Sequence, residues 1–239
     1  MKVYKNAEMI GFKNINVDLM LGLPNQSLDV LKKSLSNVIN LEPEHISIYS
    51  LILEEGTKLE KMIGEGKLKM IEEDLERKMY WETKKMLEEN GFVHYEISNF
   101  AKDKNYISRH NMDCWSQKEY IGFGAGAHSY LEKTRYSNIC NIEKYIENIK
   151  TGNFGKNKMI HEKQSMEDCE KEFMLLGLRK LEGVSIKEYK EKFAKNPIFV
   201  YRKELEKLEK ECLIEIDGDY ISLSSKGLDF ANIVWEEFV

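Results

Sequence analysis

With only three prolines and no glycine- or serine-rich stretch, the 239-residue sequence marks no linker by composition. Any division into domains must therefore come from a change of pattern. Nowhere do eighteen consecutive apolar residues occur, which excludes an evident transmembrane helix, and Met1 to Phe12 carry neither a long apolar core nor a small-residue cleavage pattern. A cytoplasmic protein is the expectation. Charge of one sign is lacking too: 36 basic residues face 41 acidic ones, a net charge of -5, so nothing draws the chain to nucleic acid in general. Cysteines are few, and Cys114, Cys140, Cys169 and Cys212 stand too far apart for a short-range zinc, redox or cluster pattern. They are expected to be reduced and structural.

What is present is 42% apolar residues, enough for a substantial core, arranged in alternating patterns. Val3, Ala7 and Ile10 sit at helical spacing and end at Gly11. Ile15 to Leu21 reads as a buried strand, stopped by Gly22-Leu23-Pro24. Ser27 is placed to cap a helix whose Val30, Leu31, Leu35 and Val38 share a face, and Ile46, Ile48 and Leu51 mark a second strand. Strand, helix, strand is a βαβ unit, which belongs in a parallel sheet. A helix is expected over Glu72 to Glu89, with Leu75, Met79, Met86 and Leu87 inward, then a third strand over Val93 to Ile97. After an irregular stretch through Arg109 and Asn111, Tyr120 to Phe123 and Ser129 to Leu131 read as extended and Asn141 to Lys150 as helical.

Residues 1–155 thus form an α/β portion, and 156–239 a different one. In the latter Met166, Cys169, Phe173 and Leu176 mark a helix, Ile186 and Tyr189 a shorter one, and Tyr201, Leu205 and Leu208 a third. A hairpin over Leu213 to Ile216 and Tyr220 to Leu223, turning at Asp217-Gly218, precedes a last helix striped by Leu228, Ala231, Trp235 and Phe238. Three helices, a hairpin and a helix suggest a winged-helix-like α+β module. Such modules often read DNA with a basic helix, yet this segment has 15 basic against 18 acidic residues. Arg202, Lys203, Lys207 and Lys210 alternate with Glu204, Glu206, Glu209 and Glu211, the pattern of a solvated, salt-bridged face.

Four segments carry a likeness to known proteins: Val17-Asp18-Leu19-Met20-Leu21-Gly22-Leu23-Pro24, Tyr95-Glu96-Ile97-Ser98-Asn99-Phe100-Ala101, Arg109-His110-Asn111 and Gly122-Phe123-Gly124-Ala125-Gly126-Ala127-His128-Ser129. In order and spacing they resemble the radical S-adenosylmethionine (SAM) family of oxygen-independent coproporphyrinogen III oxidases and HemW-type haem chaperones. The second and third segments are closer to the chaperones. Gly177-Leu178-Arg179 and Gly183-Val184 resemble the start of the family's C-terminal module. The resemblance implies the C-terminal portion of a partial (β/α)6 barrel followed by the winged-helix-like module, acting in haem or porphyrin metabolism. SAM is then expected at the C-terminal ends of the strands.

By that resemblance Asp18 contributes to SAM recognition, where a carboxylate accepts from a ribose hydroxyl or the ammonium group. The alternative is a buried acid capping backbone donors. Ile52 falls where the family sets backbone and an apolar side chain against SAM; by itself such an isoleucine reads as core. His110 is the candidate haem ligand, because the family pattern is His-Asn followed two residues later by Tyr. Here Cys114 takes the Tyr position beside Trp115. His128 is expected to order its loop by hydrogen bonds. Gly122-x-Gly124-x-x-Ala127 also fits the dinucleotide fingerprint, but extended residues, not a helix, are expected to follow it. Close approach of backbone to a cofactor or a neighbouring strand is the better reading.

The family's [4Fe–4S] cluster is held by a Cys-x3-Cys-x2-Cys loop, and no three cysteines here have that spacing. A truncated form that is not catalytically competent alone is therefore expected. The alternatives are a haem- or porphyrin-binding chaperone module and a non-catalytic, partner-contacting fragment. With Met1 placed inside what resembles the fourth helix of the barrel, Ile15 to Leu21 is expected to be an exposed apolar edge inviting self-association through strand 15–21.

Overall fold

A computed structural model describes residues 2–239; Met1, where the first expected helix begins, lies outside the described residues. The chain divides into two compact units, Met1–Ile107 and Ser108–Val239.

In unit 1, α1 (Lys2–Ile10) ends at Gly11, whose φ of +105° an L side chain rarely adopts. Its expected apolar face is not a core face: Val3 and Ile10 are exposed and Tyr4 is the buried residue. The βαβ unit forms as expected from β1 (Asn16–Leu21), α2 (Leu28–Ile39) and β2 (His45–Ser50), with the strands parallel. The Ser27 hydroxyl accepts from the Val30 amide and caps α2, which buries Leu31, Leu35 and Val38 and leaves Val30 outside. After α3 (Lys58–Gly64), α4 (Glu73–Glu89) buries Met79, Tyr80, Thr83 and Leu87.

The single third strand expected over Val93 to Ile97 is instead a hairpin of β3 (Val93–Glu96) and β4 (Asn99–Ala101). The Glu96 carboxylate closes the turn by accepting from the Ser98 amide at 3.1 Å and from the Asn99 side chain. β4 then pairs antiparallel to β2, so the sheet order is β1-β2-β4-β3 and the parallel series stops.

Alternation along the strands gives this sheet two different faces. Leu21, Ile46, Ile48 and Phe100 are buried with Leu31, Leu35, Met79 and Leu87 in one core, each fully buried side chain worth about 1.5–3 kcal/mol. The opposite face carries Asn16, Asp18 and Met20 beside His45, Ser47 and Tyr49. Hence β1 is not buried throughout: from Asn16 to Met20 exposed and half-buried residues alternate, and the strand terminates the sheet.

Unit 2 starts with α5 (Arg109–Trp115), where an irregular stretch was expected; the Ser108 hydroxyl caps it by accepting from the Asn111 amide. β5 (His128–Leu131), β6 (Thr134–Asn138) and, beyond α6 (Ile142–Lys150), β7 (Lys158–Lys163) form an antiparallel sheet in the order β5-β6-β7. Of the extended segment expected over Tyr120 to Phe123, Tyr120 makes an isolated bridge to Tyr130. β7 pairs along β6, so residues 158–163 go with the strands before them, across the position 155/156.

The remaining elements are α7 (Met166–Gly177), β8 (Val184–Ser185), α8 (Ile186–Phe193), α9 (Pro197–Val200), α10 (Arg202–Lys210), β9 (Ile214–Asp217), β10 (Tyr220–Leu223), α11 (Ser225–Asp229) and α12 (Ala231–Glu236). Helices and the sheet β8-β10-β9 enclose a core that includes Phe173, Met174, Leu178, Tyr189, Leu208 and Ile221, a winged-helix-like arrangement. Asp217 pairs with Tyr220, which puts the turn at Gly218-Asp219, one residue later than expected. Gly183 is required where it stands: φ is +89°, and a Cβ would lie 2.1 Å from the Ile221 carbonyl oxygen. The expected last helix is two short ones meeting at Phe230. On α10, Arg202 pairs with Glu206, and Lys207 with Glu237 of the chain end. Among the described residues no helix is long and apolar enough to cross a membrane.

Candidate functional site

On the polar face of the first sheet, register sets Asn16 beside His45 and Asp18 beside Ser47. Asn16 Nδ2 donates to Asp18 Oδ1 at 2.6 Å, which turns Asn16 Oδ1 toward His45 Nδ1 at 2.7 Å and the Ser47 hydroxyl at 3.2 Å. Nδ1 of His45 therefore carries the proton, leaving Nε2 to accept from the Tyr95 hydroxyl at 2.7 Å. Burial pulls the His45 pKa down, against the attraction of Asp18, so the ring is neutral at pH 7. Tyr95, His45, Asn16 and Asp18 thus form one directed chain of hydrogen bonds ending on a carboxylate.

Asp18 is exposed, and its bond comes from a side chain. The reading of a buried acid capping backbone donors is thereby overturned, because the even positions of β1 face away from the helices. Its free lone pairs can take a hydroxyl or an ammonium group. Ile52, just past β2, is 74% exposed, which removes the core reading. Met20, Leu23, Tyr49 and Leu53 are exposed around the same strand ends. The polar row lies in the first half of the parallel strands, whereas the exposed apolar residues gather at and past their C-terminal ends, the side on which open α/β sheets take their ligands. Asn16, His45 and Ser47 were missed by pattern reading, although polar residues at every second position of β1 and β2 are the signal.

His110 belongs to the other unit. It lies exposed on α5, with Nε2 3.8 Å from Cys114 Sγ one helical turn on and its ring edge-on to Tyr120 at 6.3 Å. Burial, then Asp113, pushes the Cys114 pKa up, with Arg135 opposing, so the thiol keeps its proton. Of the pair, the imidazole is the better ligand for a haem iron.

After the glycine run comes β5, not a helix, so no helix N-terminus faces a pyrophosphate. A Cβ on Gly122 would stand 2.2 Å from the His128 carbonyl oxygen: the glycine permits approach of a neighbouring strand. The loop is ordered by Ser129, whose hydroxyl accepts from the Gly122 amide, and by Asn138, which donates to the Gly122 and Gly124 carbonyls. His128 instead stacks on His161, ring centroids 5.5 Å apart.

The four cysteines are free and lie in different parts of unit 2, and among the described residues no three His, Cys, Asp or Glu side chains converge as a metal site. They do not fit a [4Fe–4S] cluster.

A parallel strand pair closed by a hairpin, followed in the chain by a winged-helix-like module, is the arrangement of the C-terminal portion of a partial βα barrel. The HemN C-terminal domain family matches residues 165–230. The chain is 37% identical over 236 residues to the heme chaperone HemW of Bacillus subtilis and 33% identical over 241 residues to that of Lactococcus lactis. These alignments cover 99% and 100% of the chain, which spans 62% of the length of each relative. In fold it is similar to the Escherichia coli coproporphyrinogen III oxidase HemN, a radical SAM enzyme, with a TM-score of 0.76 at 17% identity, covering 99% of this chain and 57% of that one. The chain is thus similar over almost its whole length to HemN- and HemW-like radical SAM proteins and matches the C-terminal part of these relatives.

Proposed function

We propose that the chain handles haem as cargo, with His110 on α5 as an axial ligand, and that the row ending at Asp18 is the side on which SAM is held. The observation that carries the haem reading is an imidazole open to solvent beside a thiol that keeps its proton. The likeness to heme chaperones along almost the whole chain supports it. Asp18 accepts hydrogen bonds from a hydroxyl or the ammonium group of SAM, Ile52 offers apolar surface, and the His45–Asn16 chain holds the carboxylate in place. SAM bound to a reduced cluster supplies radical chemistry in this family; the cysteines of this chain provide no such cluster, so catalysis by it alone is not expected.

Haem titration of the full chain, followed by absorbance, tests the reading. Saturable binding with a Soret shift is expected in the wild type and its loss in His110→Ala. No saturable shift, or the same shift in the variant, would sink it.

A further inference from the structure

α5 has seven residues, too few to hold a helix by its own hydrogen bonds, and Arg109 and His110 at its start are exposed. Its fastening lies at the other end. The guanidinium of Arg179, just past α7, stands 4.3 Å from the ring centroid of Trp115, the last residue of α5, and 4.8 Å from that of Trp235 on α12. Two residues beyond Trp115, Gln117 is buried with a φ of +51°, a strained position for a residue with a Cβ. Its amide Nε2 donates to the Cys169 carbonyl at 3.1 Å and to Glu172 at 2.8 Å, both on α7. Lys192 of α8 donates to Gln117 Oε1 at 2.8 Å and to its carbonyl at 3.3 Å. Three helices of the winged-helix-like module therefore meet at the end of α5.

We infer that this module is the mount of α5: Arg179, stacked on Trp115 and Trp235, holds the helix and so fixes how His110 meets haem. The inference rests on the haem reading of His110. Arg179 is a positioning residue that touches no ligand. A planar guanidinium can lie against two indoles at once, which a compact ammonium does less well, so arginine rather than lysine suits the place. The module then needs no nucleic acid or partner to be useful; its product is a fixed helix.

The test uses the full chain as wild type, Arg179→Ala, Arg179→Lys and the milder Trp235→Phe, which guards against misfolding of the alanine variant. Amide hydrogen exchange over α5 is read without haem, and ferric haem titration with its electron spin resonance signature is read beside it. In Arg179→Ala, exchange over α5 should quicken and haem affinity fall about threefold to tenfold, the scale of lost cation–π contacts. A more heterogeneous haem signal is expected there, with Arg179→Lys and Trp235→Phe in between. Unchanged exchange over α5 overturns the mount whatever haem does. Faster exchange with unaltered haem affinity, while His110→Ala still loses haem, overturns the positioning role and leaves the haem reading standing. A wild type that binds no haem overturns the haem reading itself, and the positioning role with it.

Discussion

The polar row of unit 1 and the α5 helix of unit 2 are opposite ways of presenting a functional side chain. Asn16, His45 and Tyr95 come from strands 29 and 50 residues apart and meet at 2.7 Å, so the pairing of the sheet sets their geometry before any ligand arrives. His110 stands on a single short helix, beside a partner four residues away, with its imidazole in solvent. A site made by a sheet is as rigid as the fold; a site on a seven-residue helix is as rigid as its fastening. Titration of unit 1 and truncation in unit 2 should therefore have unequal consequences.

Acid should separate the two units most. His94 is buried, stacked on Phe100 at 4.2 Å between ring centroids, and burial pushes its pKa down to about 4. An unfolded histidine takes its proton near 6.5, whereas this one refuses it until about 4. The unfolded state thus binds more protons in that window. Stability of unit 1 is complete above pH 6.5 and is lost as pH falls from 6.5 to 4, by about 3 kcal/mol in all. His45, lowered for the same reason, acts with the same sign. Denaturant unfolding at pH 7 and pH 4.5, with hydrogen exchange assigned to each unit, should find unit 1 losing more, and His94→Phe should flatten the dependence. Equal losses in both units, or an unchanged slope in the variant, would refute the assignment.

A smaller effect sharpens the same contrast. Asn16→Leu leaves the His45 Nδ1–H and the Ser47 hydroxyl without their acceptor in a buried place, at a cost of about 1–3 kcal/mol. Urea midpoints of the variant and wild type at pH 7 measure it. A shift worth less than about 0.5 kcal/mol, the usual scale of surface changes, would mean that the row is not coupled to the fold.

The βαβ unit, α4, α7, α8, α10 and the C-terminal hairpin were legible in the sequence because their apolar periods are regular and several of their ends carry Ser27, Gly91 or a turn pair. α9 and the break of the last helix at Phe230 were not. Nor was the β3–β4 hairpin, since Val93 to Ile97 alternates like one strand and the reversal depends on Glu96 bonding its neighbours. β7 gave no signal: all six residues are exposed, so no alternation marks it. Of the candidate site, Asp18 and His110 were picked out by their motifs and Ile52 by its place just past the second strand. Their settings were not legible, because the partners of Asp18 arrive through strand register and the support of α5 arrives from Gln117, Arg179 and Trp235, none of them near His110 in a short motif.

The smallest stability effect is expected where the functional effect is largest. His110 is exposed and makes one weak contact to Cys114 and one edge contact to Tyr120. Its replacement by alanine should therefore shift stability by no more than about 0.5 kcal/mol. Alanine also has the higher helix propensity, which offsets the lost contacts within α5. Thermal unfolding of the variant beside the wild type measures this at the concentration used for haem titration. A melting temperature within a degree or two, together with lost haem binding, would make His110 a ligand carried by the fold and not a part of its support. A large drop would instead place the histidine in the fastening of α5, and loss of haem in that variant would then say nothing about ligation.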